Sequence, residues 1–345
     1  MRGRYRGLKR YLLHTLLPLG AILLLSASSL VYVSCTKSSA GASHPVRKLH
    51  FSYAFTVRNI PPGADSIDIW APVPQSDFHQ TISNLRVDCQ YPHSIVSEEE
   101  YGNTLLRINA KSAIPSNLSA TMEFQLIRSG YRALGQKQNQ PQQISMKTLR
   151  RFLSPDRLVP TDGKIAKETR KVVRKDMTPL LKARAIYDYV ASTMKYDKSG
   201  KGWGRGDALY ACDIRRGNCT DFHSLFIGMA RASGIPARFV IGFPIPEALA
   251  EGEIAGYHCW AEFYVDGLGW IPVDASEANK HREKWDFYFG GIDENRVQFS
   301  SGRDIQIDHA SSVERVNYLI YPYVMIDGKP YDSVQTRIRF SESVE

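Results

Sequence analysis

The stretch Arg216-Gly217-Asn218-Cys219-Thr220-Asp221-Phe222-His223 sets a cysteine directly after a flexible Gly-Asn turn and at the first turn of a predicted helix. Phe222, Leu225, Phe226, Met229 and Ala230 fall on one side of that helix, and Gly234 stands where a C-terminal cap belongs. A helix start leaves backbone N–H groups unpaired and carries the positive end of the macrodipole. Both favour a thiolate at Cys219, and its own N–H faces any oxyanion that develops beside it.

Moving outward, Ala237 to Gly242 and Tyr257 to Val265 read as strands, and the second turns through Asp266-Gly267-Leu268-Gly269 into Trp270-Ile271-Pro272-Val273-Asp274. Alternation puts His258, Trp260 and Glu262 on one face and Cys259, Ala261 and Phe263 on the other. The hairpin brings His258 and Asp274 onto neighbouring strands, close enough for the acid to accept the imidazole N–H. A cysteine nucleophile needs an imidazole and a group that fixes its tautomer, so Cys219, His258 and Asp274 form a candidate nucleophile, base and orienting acid.

Upstream, Ile165, Thr169, Val172 and Val173 fall at helical spacing, and Thr178-Pro179 opens a helix whose apolar stripe is Leu180, Ala183, Tyr187, Val190 and Met194. Before a Gln/Asn/Lys-rich linker at Gln136 to Gln143 the period is two, in Leu49 to Val57, Ser66 to Trp70, Leu105 to Ile108 and Thr121 to Ile127. Those short alternating runs predict a β-sandwich, and the helices packed on antiparallel strands predict an α+β core.

The ordered blocks Gly217-x-Cys219-x-Asp221-Phe222-His223, Gly234-Ile235-Pro236-Ala237-Arg238, His258-x-Trp260-x-Glu262 and Gly269-Trp270-x-Pro272-Val273-Asp274 resemble the transglutaminase-like superfamily, a variation on the papain-like cysteine-protease fold. The resemblance covers roughly Leu180 to Ser276 and is to exported bacterial members. It implies Cys219 as nucleophile, His258 as general base and acid, and Asp274 as the orienting carboxylate. It further implies an aromatic side chain at the oxyanion, for which Tyr196 is the match, and a structural rather than catalytic place for Asp221 and Glu262.

Other readings of the same residues are plainer. His223, one turn after Cys219, is a second-shell donor or a satisfied packing residue, and Trp260 and Trp270 are core or pocket walls. A Cys212–Cys219 disulfide would disable the site. Zinc on Cys212, Cys219, His223 and Cys259 lacks the paired C-x-x-C spacing, so neither metal nor cofactor is expected.

The first residues carry an address. Arg2, Arg4, Arg6, Lys9 and Arg10 precede an uncharged run from Tyr11 to Ser34, which ends Val31-Tyr32-Val33-Ser34-Cys35 before a polar tether. This reads as an export signal of bacterial lipoprotein type with Cys35 as the acylated residue. The alternative is an uncleaved transmembrane anchor, since the run is about the 20 residues that span a bilayer. Removing the five basic residues before Cys35 takes the formal charge from +9 to +4, which gives no case for nucleic-acid binding.

The 345 residues therefore divide into a signal peptide (1–34), a tether (35–45), a β-sandwich (46–144), a papain-like, transglutaminase-like core (145–280) and C-terminal strands packing on the core (281–345). The expected partners are a protein, peptide or other amide substrate and, through the lipid anchor, a membrane of the cell envelope. Acyl transfer is expected to end in hydrolysis, with protein cross-linking and an idle, non-catalytic binding module as the alternatives.

Overall fold

The Cys219–Ala232 helix organises the core, and its two ends explain its bounds. Asn218 caps the start: its side chain accepts from the Thr220 amide at 3.0 Å, while Asp221 reaches back to the Asn218 amide at 3.0 Å, a reciprocal capping box. At the far end Gly234 takes φ +83°, and the Ile235 amide returns to the Ala230 carbonyl at 3.0 Å, a left-handed cap that suits glycine. In this computed structural model, which describes residues 45–112, 114–135, 144–308 and 313–343, nearly every residue of that helix is buried.

One side of the helix lies against a four-stranded antiparallel sheet in the order Gly269–Val273, His258–Val265, Ala237–Pro244, Arg296–Ser301. The Pro179–Thr193 helix, capped by the Thr178 side chain on the Leu181 amide, packs against it as well. The helix expected through Val173 stops earlier, spanning Gly163–Thr169 and then passing into turns. The short helices Met146–Arg151, Ala208–Ile214 and Ala275–Lys280 carry no periodic stripe long enough to be read from sequence.

The β-rich part consists of two five-stranded sheets. Val46–Val57 sits inside one of them, between Leu118–Ser129 and Val334–Glu342, with Leu49, Phe51, Tyr53, Phe55 and Val57 all turned to the core. Ser66–Val73 sits inside the other, between Thr104–Lys111 and Tyr323–Ile326. The C-terminal strands, expected to pack on the core, therefore divide: Arg296–Ser301 joins the core sheet, but Tyr323–Ile326 and Val334–Glu342 complete the two sandwich sheets. The register explains this, since Phe340 falls opposite Phe51 and Ile338 opposite Tyr53, and in the other position both would face water.

Sandwich and core share one interior. Phe51 stacks on Phe124 at 5.1 Å and reaches Phe299 at 5.9 Å, while Phe243 meets Phe299 edge-on at 5.1 Å. The described residues form one compact unit, so the boundary drawn at Ser145 is where strands give way to helices. The signal peptide, Cys35, most of the tether and the linker at Gln136 to Gln143 lie outside the described residues. Among the described residues no helix is long and apolar enough to cross a membrane.

Candidate active site

Cys219 is the first residue of its helix and 2% exposed. Two structures hold the helix start in place. A Cβ at Gly217 would fall 2.2 Å from an Asp221 carboxylate oxygen, so only glycine lets the turn close on the capping box. The same carboxylate accepts from the Gly204 amide at 2.7 Å and the Gly206 amide at 3.1 Å, tying the glycine-rich loop before it to the helix. Arg303 grips that loop from beneath, donating to the Gly206 carbonyl at 3.1 Å and to Ser224 at 2.7 Å. Burial raises the pKa of Asp221 against the three amides that favour its charge, as befits a structural carboxylate.

His258 opens its strand, and Asp274 follows directly on the neighbouring one. The last registered pair is Ala261 with Val273, so Asp274 lies one step beyond it, on the face that carries His258. The two side chains meet diagonally: Nε2 of His258 is 2.6 Å from Oδ2 of Asp274. Asp274 is wholly buried and also caps the Ala275–Lys280 helix, its Oδ1 accepting from the Glu277 amide and the Ser276 hydroxyl, each at 2.9 Å.

A residue that the sequence left unmarked completes this arm. Arg296, 4% exposed, donates from Nη1 to Oδ2 of Asp274 at 2.9 Å and from Nη2 to Asp293 at 2.9 Å, and its guanidinium covers the Trp260 ring at 5.4 Å. The strand that carries it can approach because Gly242 sits at a register shift where a Cβ would fall 1.7 Å from the Val297 carbonyl oxygen. Burial opposes ionisation of Asp274, but the His258 charge and hydrogen bond and the Arg296 guanidinium hold its pKa well below the usual carboxylate range.

The neighbouring Cys259 thiol, followed by the His258 imidazole, outweighs burial and pulls the Cys219 pKa well below that of a free thiol. Burial disfavours the imidazolium, yet Asp274 and Cys219 together push His258 up to about 10. Both shifts run toward a thiolate beside an imidazolium.

His223 is wholly buried. Its Nε2 is 3.2 Å from the Ala275 amide, which always donates, so that nitrogen accepts and does not donate to Oδ1 of Asp274 at 3.5 Å. Its Nδ1 lies 3.7 Å from the Cys259 sulfur. Tyr196 pairs with Gly217 across a short parallel bridge, which places its ring beside the helix start, 6.2 Å from Phe222 and under Lys280. Burial, then the nearby Cys219, raises its pKa and keeps the phenol a donor. Trp260 is buried with Val240 and Ile292, and Glu262 is bound to Arg238 across the strands at 2.6 Å.

Cys89, Cys212, Cys219 and Cys259 are all free thiols. Cys212 lies beside Arg215 rather than beside Cys219. Ligand atoms of His258, Asp274 and Glu277 come within 4.8 Å of one another, but the Asp274 oxygen that would face a cation already carries the Arg296 guanidinium and the His258 N–H. That donor set is suited to proton transfer rather than to a metal.

A papain-like arrangement, with a cysteine at a helix start and His and Asp on adjoining strands, defines the class of this fold. Residues 166–275 match the family model described as the transglutaminase-like superfamily, and the fold is a transglutaminase-like core preceded by a β-rich region. An uncharacterised protein of Haemophilus influenzae is 28% identical over 312 residues, covering 79% of this chain and 85% of that one. An uncharacterised protein of Mycobacterium leprae is 30% identical over 135 residues, 36% of this chain and 46% of its own. A candidate cysteine protease from Cytophaga hutchinsonii superimposes with a TM-score of 0.58 at 18% identity, covering 88% of this chain and 93% of that one, a likeness of fold.

Proposed function

We propose that this protein is a cysteine hydrolase of amide or peptide substrates, working outside the cytoplasm from a lipid anchor at Cys35. The observation that carries the reading is the buried Cys219–His258–Asp274 arrangement, with its depressed thiol and raised imidazole. The thiolate adds to the carbonyl carbon, the C–N bond breaks, and His258 gives its proton to the departing amine. His258, now neutral, takes a proton from water as that water attacks the thioester, releasing the carboxylate and restoring the thiolate. The negative oxygen formed in each step is met by the Cys219 amide and the Tyr196 hydroxyl.

The likeness to a candidate cysteine protease supports hydrolysis over amine transfer, and the basic and apolar N-terminal run supports export. Three measurements test the reading. Alkylation of Cys219 at neutral pH is expected to outrun that of free cysteine and to slow in His258→Ala; equal rates remove the activated nucleophile. A screen of amides and peptides with and without a primary amine is expected to give acid product in both cases, and preferential amine incorporation would replace hydrolysis by cross-linking. Cys35→Ala is expected to abolish metabolic labelling by a fatty acid.

A further inference from the structure

Between Tyr196 and the Ala208–Ile214 helix the chain reads Gly200-Lys201-Gly202-Trp203-Gly204-Arg205-Gly206, with glycine at every second place. All four glycines take a positive φ, between +66° and +95°. Their bare edges lie on the protein. A Cβ at Gly202 would fall 2.9 Å from the Tyr210 ring, one at Gly206 2.6 Å from the Arg303 guanidinium, and one at Gly200 3.1 Å from that of Arg216. The residues between the glycines are left the outer edge: Lys201 and Arg205 are exposed, and Trp203 is half-buried.

The inner edge is fastened beside the nucleophile. The amides of Gly204 and of Asn218, the residue before Cys219, donate to the same oxygen of Asp221, at 2.7 and 3.0 Å. The Gly204 carbonyl accepts from the Tyr318 hydroxyl at 3.1 Å, and the Arg205 carbonyl from the Asn317 side chain at 2.9 Å. Trp203 and Arg205 thus flank the point where the loop meets the start of the Cys219–Ala232 helix.

This packing uses the loop's backbone and leaves its three long side chains over. Among the described residues Trp203 belongs to none of the apolar clusters, and neither Lys201 nor Arg205 pairs with a carboxylate. The acids of the same stretch are turned onto backbone amides. Asp197 accepts from Ser199 at 2.8 Å, and Asp207 from Leu209 and Tyr210 at 2.9 and 3.2 Å. Two cations astride a tryptophan make a positive, partly apolar surface, the complement of a chain that carries carboxylates and an apolar group.

We propose that residues 200–206 form a substrate rail for this site and that the substrate is an acidic peptide: its carboxylates meet Lys201 and Arg205, and an apolar side chain lies on Trp203. The proposal rests on the reading of Cys219 as a nucleophile. Alternate residues divide the work, the glycines fastening the loop and the others reading the substrate.

The test uses two peptidyl chloromethyl ketones, acetyl-Glu-Glu-Phe and acetyl-Gln-Gln-Phe, on the full chain. A cysteine thiolate displaces chloride from either, forming one S–C bond as the C–Cl bond breaks. The rate of labelling at Cys219 is read by peptide mass. In about 0.01 M salt, where the Debye length is about 30 Å, the Glu probe is expected to label roughly tenfold faster. In about 1 M salt, where that length is about 3 Å, the two rates are expected to converge. Lys201→Gln with Arg205→Gln is expected to bring the low-salt ratio near one, and Lys201→Glu with Arg205→Glu to invert it. Trp203→Ala is expected to slow both probes alike, by about fivefold. Equal wild-type rates at low salt overturn the proposal, as does a preference that survives the paired Gln substitution. Iodoacetamide separates the two readings: wild-type labelling of Cys219 no faster than that of free cysteine overturns the nucleophile, and the proposal with it.

Discussion

Arg296 and His258 bond the same oxygen of Asp274, at 2.9 Å and 2.6 Å. Asp274 is therefore held between a permanent cation and a titrating one, with no water contact of its own. Arg296→Met strips the buried Asp274 and the half-buried Asp293 of their fixed partner and is expected to destabilise by about 3 to 5 kcal/mol in urea unfolding. The sign of the pH effect follows from the depressed pKa of Asp274. Its stabilisation is present above the ordinary carboxylate value of about 3.9 and is lost as pH falls through the folded value. Without Arg296 that folded value rises, so acid unfolding is expected to begin at higher pH. An unchanged acid limb would assign the depression to His258 alone.

The raised His258 is expected to give a contribution to stability that is lost in alkali. In the unfolded chain the thiol ionises at about 8.5, while the folded His258 holds its proton up to about 10. Between those values the folded state binds the extra proton, so stability falls as pH rises and levels once His258 deprotonates. Subtracting the unfolding free energy of the Cys219→Ala, His258→Ala double variant isolates this limb; a difference flat through that range would mean that folding does not raise His258.

Asp221→Ala is expected to leave three amides, the part-buried one of Gly204 and the buried ones of Gly206 and Asn218, without an acceptor. At roughly 1 to 3 kcal/mol for each unsatisfied group, partly relieved by water, a loss of about 3 kcal/mol is expected. Hydrogen exchange at Gly204 and Gly206 is the direct readout, and continued protection there would place the loop's restraint in Arg303 instead.

Tyr196→Phe is expected to lower kcat by roughly 10²-fold with little change in KM, the mark of a donor used only when the oxyanion forms. Its melting temperature is expected to stay near wild type. An equal loss in KM alone would make the ring a wall of the substrate site.

What the sequence made legible was local. A turn before Cys219, a glycine cap at Gly234 and a hairpin between His258 and Asp274 are set by residues close in the chain, and each occurs where expected. The transglutaminase-like blocks tied these pieces into one core. Arg296 escaped because nothing on its own strand reports the partner; Asp274 comes within reach only after Gly242 lets that strand approach its neighbour. The contact between His223 and Cys259 escaped for the same reason, as one helix face and one strand face had to be superposed before two unremarkable residues met. The return of Val334–Glu342 to Val46–Val57 is a pairing across most of the chain, and its register is visible only once both apolar faces are known.

That return has a consequence for how the chain matures. Val46–Val57 is translated early, yet one flank stays bare until Val334–Glu342 arrives, and the bare flank displays an open ladder of hydrogen-bonding groups beside Phe51 and Tyr53. A ribosome that stalls before Val334 therefore releases a sticky intermediate rather than a working fragment, whatever the state of Cys219. The sandwich acts as a seal on synthesis: the Cys219–Ala232 helix belongs to a fold whose sheet closes only once Val334–Glu342 has been made.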